Sequence, residues 1–83
     1  MRADSATQSA VRRVVLEATG GDDRLQVTQT IATHGWGGVL YVDVYARSRD
    51  ASLGDLNPDL RRAVAHVANR PYERVTISWR LNT

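Results

Sequence analysis

The chain has 83 residues, 42% of them apolar and 24% charged, with a formal net charge of +2, the profile of one small globular domain spanning residues 1–83. No apolar run approaches the roughly 18–20 residues that a bilayer span requires, and the N-terminal MRADSATQSAVRR lacks the continuous apolar stretch of a secretory signal, so neither membrane insertion nor export by that route is expected. Zero cysteines exclude a disulfide framework, a thiolate metal site and a cysteine nucleophile, and a cytoplasmic location is expected.

All 11 basic residues are arginine, and lysine and phenylalanine are absent. A pI near 9.7 invites a nucleic-acid reading, because phosphate binding is driven by clustered positive charge. The charge is not clustered, however: residues 1–23 carry three arginines against four acids, residues 24–50 three against two, and residues 51–83 five against three. Arginine, alanine, valine and glycine have G/C-rich codons and lysine and phenylalanine A/T-rich ones, so a high-GC bacterial genome accounts for the pattern.

Residues 1–4 read as a disordered N-terminus. Ser5 and Gln8 then have the spacing of a capping box, in which the two side chains satisfy free N–H groups at a helix start. Val11, Val14, Val15 and Ala18 follow as one apolar stripe, and Gly20-Gly21 supplies a left-handed stop. Leu16 lies off that stripe beside Arg12 and Arg13, as a surface leucine or a contact for a partner subunit. Asp22-Asp23 reads as a polar turn.

Two strands come next. Leu25, Val27, Gln29 and Ile31 alternate onto one face, with Gln26, Thr28, Thr30 and Ala32 on the other. In residues 39–47, Leu40, Val42, Val44 and Ala46 alternate with Tyr41, Asp43, Tyr45 and Arg47. The connection His34-Gly-Trp-Gly-Gly38 suits a hairpin loop. After a polar stretch, Asn57-Pro58-Asp59 starts a second helix with a cap, a proline at the first position and an acid in the first turn. Leu60, Ala63, Val64, Val67 and Ala68 form its apolar stripe, and Asn69-Arg70 is its exit before Pro71. A last strand puts Val75, Ile77, Trp79 and Leu81 inward and Arg74, Thr76, Ser78 and Arg80 outward.

The expected fold is an αββαβ two-layer α+β sandwich. Both helices cover one face of a three-stranded antiparallel sheet, and the simplest crossover gives spatial order 2-1-3. The inward positions are mostly valine and alanine, a thin core that favours a homo-oligomer over a monomer.

Signals for chemistry are weak. The two histidines, His34 and His66, lie in no catalytic or metal-ligating pattern, and neither an enzyme nor a cofactor is expected. Gly35-Trp36-Gly37-Gly38 has the letters of a phosphate-clamping G-x-x-G, but that loop joins helices and this one joins strands. The candidate binding residues are surface aromatics and arginines. Trp36 between glycines either folds back over the sheet end or serves as an interface anchor. Tyr41, Tyr45, Arg74 and Arg80 lie on the open sheet face, with both tyrosines on an edge strand under the 2-1-3 order. Such a face is solvated, docks a protein, or stacks bases of RNA or DNA.

The strings LYVDVYARS, LRRAVAHV and ERVTISWRL, in that order after a helix and a hairpin, resemble the alkaline-shock envelope-stress family of Gram-positive bacteria. The chain carries Gly20-Gly21-Asp22-Asp23 where that family has a Gly-Val, and it lacks the Tyr-Gly before the second helix. The regulatory domains of cation-efflux transporters share the element order, but the chain lacks a metal-ligand cluster. The resemblance implies a stress-related, non-enzymatic protein that assembles near the cell envelope through partners. The expected function is a protein-interaction or assembly module, with nucleic-acid binding on the open sheet face as the alternative.

Overall fold

The computed structural model describes residues 2–20, 25–48 and 56–82. The second glycine of Gly20-Gly21, the Asp22-Asp23 turn and residues 49–55 of the polar stretch lie outside the described residues. The elements are α1 (Ser5–Thr19), β1 (Leu25–His34), β2 (Leu40–Ser48), α2 (Leu56–Ala68) and β3 (Val75–Asn82), an αββαβ order of the α+β class.

The strand order is β1-β2-β3, not 2-1-3. β1 and β2 form an antiparallel hairpin, and β3 lies parallel to β2 in unbroken register from Leu40↔Val75 to Arg47↔Asn82. The sheet is therefore mixed. The physical reason lies in β2, whose inward side chains Leu40, Val42, Val44 and Ala46 are all buried. A neighbour on each side keeps that face in the middle of the layer, away from the sheet edges and within the core the helices share. The short β2–α2–β3 crossover supplies the second neighbour directly. Leu60 and Val64 of α2 and Val11 and Val15 of α1 close over the same face, with Ala32 and Val75 completing the core.

β1 does not keep one alternation. Its register slips between Val27 and Gln29, leaving Thr28 as a bulge residue whose Oγ1 donates to the Tyr45 carbonyl at 3.1 Å. Leu25 is buried before the bulge; Thr30 and Ala32 are buried after it. Gln29 and Ile31, expected inside, turn to the open face instead. The exchange keeps a glutamine amide out of an apolar core, where burying it unpaired costs several times a hydrogen bond's net gain. The hydroxyl of Thr30, brought inside by the same slip, finds no partner among the described residues. Thr30→Val is expected to raise stability by about 1 kcal/mol, read as a higher urea midpoint; a lower midpoint would show that the hydroxyl is satisfied.

The capping box does not form. Asp4 stands at the N-cap of α1 in extended conformation, and the Thr7 hydroxyl beside it holds its carboxyl below the ordinary carboxylate range. Gln8 is used elsewhere: its amide donates to the Thr30 carbonyl at 2.5 Å and accepts from the Ala32 N–H at 2.8 Å. Ala3 N–H donates to the same Ala32's carbonyl at 3.0 Å and Arg2 bridges Thr33, so residues 2–3 run along the outer side of β1. Within α1, Val14 is half-buried and Ala18 exposed, while Thr19 is buried with its hydroxyl donating to the Val15 carbonyl. Gly20 caps the helix in right-handed geometry (φ −66°), so the expected left-handed stop is not at this residue.

α2 begins at Leu56, which places Asn57 and Pro58 in its first turn rather than at its cap. Its buried stripe is Leu60, Val64 and Ala65, with Val67 exposed, because the helix is rolled toward Ala65 relative to the expected stripe. The exit is a Schellman turn. Asn69 takes φ +54°, its N–H donates to His66, and Arg70 N–H donates to Ala65. Asparagine tolerates that left-handed geometry through its short polar side chain. Asn69→Ala is expected to lower stability by about 1–2 kcal/mol and Asn69→Gly to leave it unchanged or higher, measured by thermal melting.

Candidate interaction surface

At the β1–β2 hairpin the chain makes a tight turn over Trp36–Gly38, closed by Gly35 N–H to Val39 C=O (2.8 Å) and Val39 N–H to Trp36 C=O (3.3 Å). Gly37 (φ +69°) and Gly38 (φ +77°) occupy left-handed backbone that glycine adopts at little cost. The turn does not fold Trp36 back over the sheet. The indole projects from the tip, 96% exposed.

The tip is braced from below by the α2–β3 connection. Arg70 donates from Nη1 to the Gly38 carbonyl at 2.6 Å, and its Nη2 lies 2.8 Å from His34 Nδ1. Arginine can only donate, so Nδ1 accepts and the ring's own N–H is on Nε2. His34 is thus occupied in holding the turn. The Arg74 guanidinium lies over Gly37, where an added Cβ would meet Nη1 at 3.2 Å. Arg74 belongs to the short turn Tyr72–Arg74 that precedes β3, not to the strand face where the alternation placed it.

The open sheet face continues from the tip. A Cβ on Gly35 would overlap the Tyr41 ring, so the tyrosine packs against bare backbone there. The register sets Tyr41 between Thr33 and Thr76, Asp43 between Ile31 and Ser78, and Tyr45 between Gln29 and Arg80. Tyr41 and Tyr45 are 46% and 38% exposed. Both stand on the central strand, not on an edge as the 2-1-3 order implied. Asp43 separates them and lies 3.7 Å from Arg80 Nε. The structure therefore puts Tyr41, Tyr45 and Arg80 on the open sheet face, with Trp36 on the hairpin turn next to the glycine that Tyr41 packs against and Arg74 beside Gly37.

Leu16 does not join that surface. It is 42% exposed on α1, in a shallow depression with Ser9, Arg12, Arg13 and Glu17 on the helical layer. Trp79, expected in the core, is half-buried and packs against it. Two features escaped the sequence. Arg70 bracing the hairpin depends on a contact 36 positions apart, and Ile31 joins the open face only because of the bulge. Arg61 is likewise held from a distance, donating from Nε to the Val75 carbonyl at 2.6 Å with its guanidinium 4.3 Å from the Tyr72 ring centre.

Among the described residues, no helix is long and apolar enough to cross a membrane, and no group of three histidine or acidic side chains is placed to hold a metal ion. Fold and surface together define the class: a small α+β domain with one sheet face uncovered and a tryptophan at its rim. No family model matches the chain, and comparison with curated proteins and with solved structures finds no match.

Proposed function

We propose that the chain is a small non-enzymatic interaction and assembly module that self-associates through the surface of Trp36, Tyr41 and Tyr45. The observation that carries this reading is the exposure of Trp36 on a turn braced by Arg70. A free indole in water gains little from being held still. The brace fixes the backbone that carries it, so docking orders one rigid ring and no loop, and tryptophan and tyrosine dominate binding hot spots. The resemblance of the strand and helix strings to the alkaline-shock envelope-stress family points the same way, toward a protein that works by assembling near the envelope.

The test is collisional quenching of tryptophan fluorescence across a dilution series. Trp36 is expected to be quenched freely in dilute protein and shielded in concentrated protein. Equal quenching at every concentration would contradict self-association through this residue.

A second reading, single-stranded nucleic acid on the open face, is favoured by the central position of both tyrosines and by Arg80 beside Tyr45. Four residues of strand put the two rings about 13 Å apart, and a nucleic-acid strand crossing between them would pass over Asp43. That carboxylate disfavours phosphate, and the protein reading is preferred. Nucleic-acid binding would weaken steeply with salt, whereas docking through the aromatic rings is nearly indifferent to it.

A further inference from the structure

His34 ends β1 and stands at the foot of the turn that carries Trp36. Its Nδ1 lies 2.8 Å from Arg70 Nη2, while Nη1 of the same guanidinium donates to the Gly38 carbonyl at 2.6 Å. One side chain from the α2–β3 connection thus ties the two ends of the turn together. A guanidinium has no lone pair to offer, so its contact with His34 exists only while Nδ1 is unprotonated. A proton on Nδ1 sets two N–H groups head to head and two positive charges side by side. Histidine is the side chain that takes up such a proton between about pH 8 and pH 5.

The charged groups around His34 give the protonated ring another partner. Asp4, before α1, has its carboxyl held below the ordinary carboxylate range, chiefly by the Thr7 hydroxyl and in smaller part by the charge of His34. It is therefore still ionised where His34 gains its proton, and it attracts the imidazolium. Arg70 opposes that proton, as do Arg2, bridged to the neighbouring Thr33, and Arg74 over Gly37. On β2 the residue paired with His34 is Leu40, which carries no charge. His66, the other imidazole, is exposed in the last turn of α2, where a positive charge is favourable.

We propose that His34 is a pH-operated latch on the hairpin turn. Neutral, it accepts from Arg70 and the turn holds Trp36 in one position; protonated, it releases Arg70, is drawn toward Asp4, and the turn loosens. Gly37 and Gly38, both at positive φ, leave the backbone free to move once the brace is gone. The latched turn is the one with the unprotonated ring, so the order it confers is present at neutral pH and lost on acidification. The latch works within a single chain and is read from the turn, not from the mass of the particle, so it stands or falls separately from self-association.

The experiment is nitrogen relaxation of the Trp36, Gly37 and Gly38 amides in dilute protein at about pH 8 and about pH 5, for the unmodified chain and for His34→Gln. Glutamine offers Arg70 a neutral acceptor that does not titrate. In the unmodified chain, order parameters of about 0.85 are expected at the higher pH and below about 0.6 at the lower, the change following protonation of the His34 ring. In His34→Gln they are expected to stay high at both. A turn equally ordered at both pH values in the unmodified chain would overturn the latch. So would a turn that loosens with acid in His34→Gln as well, because another group would then drive it. The nitrogen chemical shifts of the ring give a readout that needs no variant: at the higher pH the proton is expected on Nε2, and a proton on Nδ1 would overturn the latch.

Discussion

Leu40→Ala is expected to destabilise the fold by about 2–5 kcal/mol, enough to consume most of the stability of a domain at the low end of the usual 5–15 kcal/mol. Leu40 is fully buried at the start of the central strand, paired with His34 on one side and Val75 on the other. Its removal opens a cavity in a fully buried cluster whose neighbours, held by the sheet and both helices, can close only part of it. Urea unfolding followed by circular dichroism measures the loss. Ile31→Ala serves as the contrast. An uninterrupted alternation along β1 makes Ile31 a core residue, whereas the bulge puts it half-exposed on the open face, and its truncation should cost clearly less than that of Leu40. Equal losses would mean that the bulge is absent in solution.

The second large effect is expected at Gln8. Gln8→Leu removes two hydrogen bonds at once and leaves the Ala32 N–H and the Thr30 carbonyl without their partner at a partly buried edge. An orphaned polar group costs about 1–3 kcal/mol, so a loss near the middle of that range is expected in the melting experiment. The variant should also aggregate on standing, because the closed edge of the sheet becomes an open one. Gln8→Leu with unchanged stability and unchanged solubility would show that the amide merely decorates the edge.

The sequence made β2 legible because its alternation is perfect: four apolar residues in, three aromatic or acidic ones out. α2 was legible through Leu60 and Val64, and the hairpin through its glycines. What stayed hidden has a common cause, which is that it depends on contacts between residues far apart in the chain. Periodicity cannot locate a bulge, and one extra residue at Thr28 inverted the faces of Gln29, Thr30, Ile31 and Ala32. Ser5 and Gln8 have the spacing of a capping box, but the edge of β1 offers the Gln8 amide two partners where the box offers one. The strand order is not legible in the alternation, because β2 and β3 each carry four apolar residues on the inward face; it is set by packing between elements far apart in the chain.

That order changes the meaning of the candidate site. On an edge strand, Tyr41 and Tyr45 would be rim residues beside solvent. On the central strand they stand in the middle of the open face, Tyr41 between Thr33 and Thr76 and Tyr45 between Gln29 and Arg80. Three arginines are tied to particular partners: Arg70 to the hairpin through Gly38 and His34, Arg61 to the Val75 carbonyl, and Arg80 to Asp43 on the open face. Arginines tied down in this way are not free to contribute to a basic binding surface.

The most direct test of this account is the solution mass of the unmodified chain and of Trp36→Ala, measured by light scattering at low and high salt. The account predicts a mass above 9.2 kDa for the unmodified chain, little changed by salt, and a smaller one for Trp36→Ala. A mass of one chain at every concentration, or the same mass for both proteins, would contradict it.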